Sequence, residues 1–220
     1  MANINEAISE LTTGRLSVYL RCLTYLQSLN QETVSSAELA ERFHLNSAQI
    51  RKDLACFGDF GTRGVGYNVA RLKEQLVRTL GIDRTRNVLI VGAGNLGLAL
   101  ADYKGFNENG FQIIALVDID PEKLGRTSRS GIPVLPYGEL GSIVRQHGVD
   151  IAIIAVTSDA AQQVYDALAD AGVNAILNFA PLQIRTQERV KLKSVDLRIN
   201  LESLSFYLKS VEDGGWSAES

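Results

Sequence analysis

Cysteine, histidine and long apolar runs are all scarce in this chain, and each scarcity excludes something. The two cysteines, Cys22 and Cys56, fall in separate predicted helices and form no metal-ligand cluster, so reduced thiols in a cytosolic protein are expected. Cys56 reads as an ordinary small buried residue rather than a redox thiol. Only two histidines are present: His44 in a tight turn and His147 at a predicted helix end. Neither belongs to a Ser/His/Asp or Cys/His arrangement, so no catalytic residue and no metal ligand is assigned. No apolar run approaches the roughly 18–20 residues that a membrane span needs. The opening residues, Met1 to Glu10, are mixed polar and unlike a signal peptide.

What is present is a slightly acidic chain of 220 residues, long enough for one large domain or two ordinary ones. Charge is unevenly spread. Residues 1–86 hold 11 Lys/Arg against 9 Asp/Glu, whereas 87–220 hold 11 against 16. Within 42–86 the balance is 9 against 4, which points to a local surface for a polyanion.

The chain is organised around Asn87-Val-Leu-Ile-Val-Gly-Ala-Gly-Asn-Leu-Gly97. Val88 to Val91 reads as a buried parallel strand, and Leu98 to Ala101 suits a helix. Between them, Gly92, Ala93, Gly94, Asn95, Leu96 and Gly97 form a dinucleotide-type turn. Gly92 permits the tight bend, Gly94 lets a pyrophosphate approach the backbone, and Gly97 lets the helix pack close. The next strand, Phe111 to Val117, ends in Asp118, about 20 residues past the last glycine, where such folds hold an adenosine ribose. A carboxylate there favours NAD(H) over NADP(H).

Ahead of this half lies a helix over 15–29 with Leu16, Leu20, Leu23, Leu26 and Leu29 at helical spacing. Ser35-x-x-Glu38 is a capping-box pattern opening a helix from Ala37 to Phe43. After the turn His44-Leu-Asn46, a third helix runs from about Ala48 to Phe57, burying Ile50, Leu54 and Phe57. Two short helices so tightly joined make a helix-turn-helix candidate. Ser47, Gln49, Arg51 and Lys52 are left near the N-terminal half of the third helix, where recognition helices meet bases and phosphates. Phe57 to Tyr67 is glycine-rich and predicts a hairpin wing with Arg63 at its tip. A helix from Val69 to Leu80 follows.

Past Asp118, the pattern predicts a short helix from Asp120-Pro121 to Gly125 and a strand over Ile132–Val134. A helix over Tyr137–Gln146, a central strand over Asp150–Val156 and a helix over Asp159–Ala171 come next. The series closes with strands over Asn174–Phe179 and Val195–Leu197. A final helix carries Leu197, Leu201, Leu204, Leu208 and Val211, a stripe for its own sheet or for a second subunit. The expected fold is α/β: a winged-helix DNA-binding domain over 1–81, then a doubly wound parallel Rossmann-type domain over 82–198. A C-terminal dimerisation helix over 199–211 and a disordered tail over 212–220 complete it. Little chain is left for a substrate domain, which argues against ordinary catalysis.

The wording of several stretches resembles the Rex family of redox-sensing transcriptional repressors. They are Arg51-Lys-Asp-Leu54, Gly61-Thr-Arg-Gly-Val-Gly-Tyr67, Gly92 to Gly97, Ala101-Asp-Tyr-Lys-Gly-Phe106, Asp118-Ile-Asp-Pro121 and Leu177-Asn-Phe-Ala-Pro181. The resemblance runs from Tyr19-Leu-Arg21 to Phe206-Tyr-Leu208. It implies a cytoplasmic homodimer that binds a pseudo-palindromic operator when NADH is scarce and releases it when NADH binds, NAD⁺ competing. It adds Tyr103, Asn178 and Ala180 to the cofactor residues and Tyr67 to the DNA contacts. It also implies a domain-swapped C-terminal helix and a switch in which Asp196 exchanges Arg21 for Tyr103. One departure is Ser158, where relatives often place a proline. Two other readings use the same residues: a small NAD-dependent oxidoreductase or CoA-binding subunit, and a nucleotide-binding scaffold whose N-terminal helices bind protein.

Overall fold

The computed structural model describes residues 10–58, 61–62 and 65–212, and the chain divides into two units, Met1–Arg84 and Thr85–Ser220. Among the described residues no helix is long and apolar enough to cross a membrane.

The first unit is built on helix α1, Glu10–Ser28, whose inward face is Leu16, Tyr19, Leu23 and Leu26. Leu29, expected on that face, lies past the helix end and is exposed. Strand β1 is Thr33–Val34, and helix α2 runs Ser36–Phe43. The capping box closes in full: Ser35 Oγ accepts the Glu38 N–H at 3.0 Å, and the Ser35 N–H donates to Glu38 Oε2. His44 ends α2 in the left-handed conformation. Helix α3, Ser47–Ala55, is capped by Asn46, whose Oδ1 accepts the Gln49 N–H at 2.9 Å.

Ile50 and Leu54 of α3 are buried, but Phe57 is half-buried beyond the helix, and a charged residue, Asp53, is buried between them. Strands β2, Gly61–Thr62, and β3, Gly66–Asn68, pair antiparallel, and β1 adds to the other side of β3. The expected wing tip, Arg63, lies outside the described residues. Helix α4, Val69–Thr79, turns Val69, Leu72 and Leu76 onto α1. The result is a winged helix around one core. Cys22 lies in that core, and burial pushes its thiol up; Cys56, expected to be buried, is exposed just past α3.

The second unit starts with β4, Arg86–Val91, whose residues 88–91 are an uninterrupted apolar run because both its faces are covered. Leu89 and Val91 enter one core and Val88 and Ile90 the other. Helices α5, Asn95–Ala101, and α6, Lys104–Asn107, lead to β5, Phe111–Asp118. Then come β6, Val134–Pro136, a 3-10 turn at Tyr137–Glu139, α7, Leu140–His147, and β7, Ile151–Ile154. Helix α8, Ser158–Asp170, strands β8, Ala175–Asn178, and β9, Lys191–Ser194, and helix α9, Leu197–Glu212, complete the unit.

The strand order is β6-β5-β4-β7-β8-β9, all parallel, which is the doubly wound dinucleotide-binding topology. Its order reverses between β4 and β7. That crevice is where this topology binds ligands.

Three expectations are corrected. Residues 121–125 form turns instead of a helix, because the Asp120 side chain takes the Glu122 N–H and the Gly125 N–H goes to the Val134 carbonyl. The strand expected over Ile132–Val134 lies at Val134–Pro136, beside the end of β5. The last strand is Lys191–Ser194 rather than Val195–Leu197: it is an edge strand whose exposed lysines hide its pairing with β8. Leu197 instead opens α9.

Candidate functional site

The sheet's switch point opens into a cavity of about 860 Å³ at the carboxyl ends of β4, β5 and β7. Gly92, Gly94, Asn95, Leu96 and Asp118, which the sequence marks as candidate cofactor residues, line it. Lys123, Tyr137, Val156, Thr157, Gln163 and Phe179 line it as well, and the sequence reading did not find them. They come from loops and helices whose approach to the glycine turn is set only by the packed sheet.

The glycines divide their work as their spacing suggests. Gly92 has φ of 103°, and a Cβ there would strike the Ala155 carbonyl of the neighbouring strand end. At Gly97 a Cβ would overlap the Gly92 carbonyl oxygen, so this glycine is what lets α5 sit against the turn. Gly94 has ordinary backbone angles and nothing within 4 Å of its missing side chain. Alanine at Gly97 is therefore expected to lower stability by about 1–3 kcal/mol, the usual cost of overpacking. Alanine at Gly94 should leave the melting temperature unchanged, and thermal melting of the two variants checks the contrast.

Asp118 is nearly buried at the end of β5. Its carboxylate accepts the Ala93 N–H at 2.7 Å, the Asp120 N–H at 2.9 Å and the Lys123 ammonium at 3.1 Å. Burial raises its pKa, but the two N–H groups and Lys123 outweigh burial and hold it below the usual carboxylate range. The group is an anion at neutral pH. It ties the glycine turn to β5, and its remaining acceptor capacity is available to a ligand. The cavity wall is otherwise mainly apolar, through Val91, Leu96, Val117, Ala155, Val156 and Phe179.

The remaining predicted cofactor residues sit apart from the cavity wall. Ala93 is buried and contributes its N–H to Asp118. Asn178 is fully buried and spends its amide on the Ala180 carbonyl and N–H and on Ser194 Oγ, so the pair shapes the turn that presents Phe179. Tyr103 is exposed just ahead of α6, its ring edge-on to Phe106 at 5.0 Å. Asp196 caps α9, its Oδ1 accepting the Arg198 N–H at 2.9 Å. Ser158 is the first residue of α8, a position that suits proline and serine alike.

A second candidate surface belongs to the first unit. Arg51 and Lys52 are exposed on α3. Arg51 donates to Ser36 Oγ at 3.0 Å, while the Lys52 ammonium has no ion-pair partner among the described residues. Ser47 is half-buried at the helix start, and Tyr67 is half-buried on β3, with burial pushing its hydroxyl up against a smaller opposing effect of nearby Arg51. Arg21 is exposed on α1.

Behind α3, Asp53 gathers four hydrogen bonds: Arg15 Nε at 2.6 Å and Nη2 at 2.8 Å, Tyr19 Oη at 2.9 Å, and Gln49 Nε2 at 2.7 Å. Burial raises the Asp53 pKa, but Arg15, Gln49 and Tyr19 together hold it below the usual range. Burial, then the hydrogen bond to Asp53, pushes the Tyr19 hydroxyl up to about 12. A carboxylate three residues after Ile50, inside the buried stripe, was a signal in the sequence. Its partners on α1 were not.

Comparisons with known proteins find relatives over both units. A family model described as a putative DNA-binding protein N-terminus matches residues 7–55, and one described as a CoA binding domain matches 83–182. The redox-sensing transcriptional repressor Rex of Desulfitobacterium hafniense is 48% identical over 90% of this chain and 94% of its own length. The repressor of the same name from Carboxydothermus hydrogenoformans is 48% identical over 92% of this chain and 97% of its own. A crystal structure of RSP in complex with β-NAD⁺ and operator DNA is 36% identical, with a TM-score of 0.89 over 93% of this chain and 94% of that one. RSP in complex with β-NADH matches with a TM-score of 0.83 at 35% identity, over 94% of this chain and 96% of that one.

Proposed function

Since the chain belongs to the Rex family of redox-sensing transcriptional repressors, we propose that it is a cytoplasmic repressor that binds operator DNA as a homodimer and releases it when NADH occupies the second unit. The observation that carries this reading is the Asp118 anion on the cavity wall, bonded to the glycine turn at Ala93. A ribose diol donates two hydrogen bonds to such a carboxylate, taking the place that Lys123 holds, whereas a 2′-phosphate meets its charge. The pyrophosphate passes over Gly94, where no side chain stands in the way.

Discrimination between redox states follows from the wall. Oxidised nicotinamide is a cation and reduced nicotinamide is not, so the apolar lining at Ala155, Val156 and Phe179 favours NADH. A dinucleotide shifts the protein only as far as it prefers one arrangement of the dimer over the other. The switch residues are Arg21, Tyr103 and Asp196, with Asp196 exchanging partners between the two states. Coupling is reciprocal, so operator DNA weakens NADH binding by the factor by which NADH weakens operator binding.

On DNA, α3 enters the major groove with Ser47, Gln49, Arg51 and Lys52, and Arg63 and Tyr67 serve the wing. Lys52→Ala is expected to weaken operator binding on the order of tenfold and to lower the salt slope by about one, as loss of one phosphate contact does. NADH affinity should not change. Unchanged operator affinity would mean that α3 does not face the groove. The reading as a whole is tested by fluorescence anisotropy of an inverted-repeat duplex titrated with protein alone, with NADH and with NAD⁺. Release by NADH and much less by NAD⁺ is the expected result, and indifference to both nucleotides would overturn it.

A further inference from the structure

Arg15, on α1, is fixed by a residue of α3. Its Nε donates to Asp53 Oδ2 at 2.6 Å and its Nη2 to Asp53 Oδ1 at 2.8 Å, a two-point fork that sets the plane of the guanidinium. The second Nη2 hydrogen goes to Thr12 Oγ1 at 3.1 Å. Asp53 is itself held in place, being buried and bonded also to Tyr19 Oη and Gln49 Nε2. One arm of the guanidinium is left over. Nη1 carries two N–H groups and makes no hydrogen bond among the described residues, and a third of the side chain is exposed.

The same fork fixes where that arm stands. Around α3 the order from core to solvent is Ile50, Asp53, Gln49 and Lys52, so Asp53 and Gln49 form one flank of the helix. Gln49 Nε2 and Arg15 Nη2 share Asp53 Oδ1, which sets the guanidinium against that flank. A major groove about 12 Å wide is filled by a helix about 10–12 Å across. The outer face of such a helix meets base edges, and its flanks meet the phosphate walls. We propose that Arg15 is a DNA-contacting residue: its Nη1 donates to a backbone phosphate on the wall that this flank of α3 meets. Because the fork already orders the long side chain, binding does not have to. This role rests on the proposed operator binding by α3, to which it adds a contact from α1.

The test uses the full chain and a duplex that the protein itself selects from random DNA. Phosphates of that duplex are replaced one at a time by uncharged methylphosphonate, and each affinity is read by anisotropy. Arg15→Gln combined with Asp53→Asn removes both charges together, so neither is left unpaired in the core. This double variant should bind about tenfold more weakly for each half-site, the lower range of a hydrogen bond to a charged group. At one phosphate in each half-site, neutralisation should be costly for the native protein and change affinity less than twofold for the double variant. The other phosphates and the base pairs should keep their penalties. Lys52→Ala should erase the penalty at a different phosphate.

Penalties unchanged at every phosphate would overturn the assignment, since Arg15 would then support α3 only from within the fold. So would penalties that shrink together at all phosphates and base pairs, the mark of a helix that has lost its seat. Arg15→Lys keeps an ion pair with Asp53 but lacks the second arm, and it should erase the penalty at the same phosphate. A full penalty there overturns the assignment even if the double variant fails to fold. Failure of the native protein to select any duplex removes the operator reading itself, and the Arg15 contact with it.

Discussion

A double variant, L201K with L208K, is expected to run as a monomer and to lose operator affinity by at least about a hundredfold. Helix α9 carries Leu197, Ile199, Leu201, Leu204, Phe206, Tyr207, Leu208 and Val211, and every one of them is roughly half exposed or more. A stripe of this kind is what an interface core consists of before the partner covers it. Burying a leucine is favourable by about 1.5–3 kcal/mol, and placing an unpaired ammonium at the same point reverses the sign. Two such changes act on every copy of the interface.

The operator consequence follows from symmetry. A two-fold dimer places two α3 helices on two half-sites, and a monomer forfeits the linkage between them. Because Leu201 and Leu208 touch little within the chain, the six-stranded sheet should melt as before. Analytical ultracentrifugation with operator anisotropy checks both halves. A dimer that survives the double substitution would show that α9 is not the interface.

Replacing Asp118 by alanine is expected to raise the NADH Kd by at least about a hundredfold, corresponding to two hydrogen bonds to a charged group at about 1.5–3 kcal/mol each. Operator affinity without nucleotide should stay within about threefold, since Asp118 lies in the second unit and α3 in the first. The NADH response then vanishes at concentrations that empty the native protein from its operator. Asp118→Asn should fall between the two, because an amide oxygen still accepts one bond but carries no charge. Part of the loss is indirect: Asp118 also holds the Ala93 N–H and Lys123, so its removal loosens the glycine turn. Calorimetric titration with NADH, beside anisotropy on the same samples, separates the two readouts. A full NADH response in Asp118→Ala would place the ribose elsewhere.

Much of the fold was legible in the chain because the signals are short-range. The apolar run Val88 to Val91 could be covered on both faces, and both cores use it. Ser35 and Glu38 satisfy each other's backbone across three residues, as does Asn46 for Gln49, so helix starts could be read directly. The edge strand Lys191–Ser194 was not legible, since its exposed lysines imitate a loop and only pairing with β8 makes it a strand. The turn at residues 121–125 was misread because its N–H groups found partners outside any helix.

By itself, then, the sequence determined the glycine turn, the acid at the end of β5, the basic helix after a capped turn and the apolar stripe at the C-terminal end. Each depends on spacing within a few residues, or on one strand and its successor. Tertiary structure alone decided that Arg15 and Tyr19 would close on Asp53, that Lys123 would fold back on Asp118, and that Asn178 and Ala180 would spend their polar groups on each other. Buried charges and amides must find partners or forfeit their hydration. Which partner is within reach is settled by how the helices and strands pack, and by nothing local to either residue.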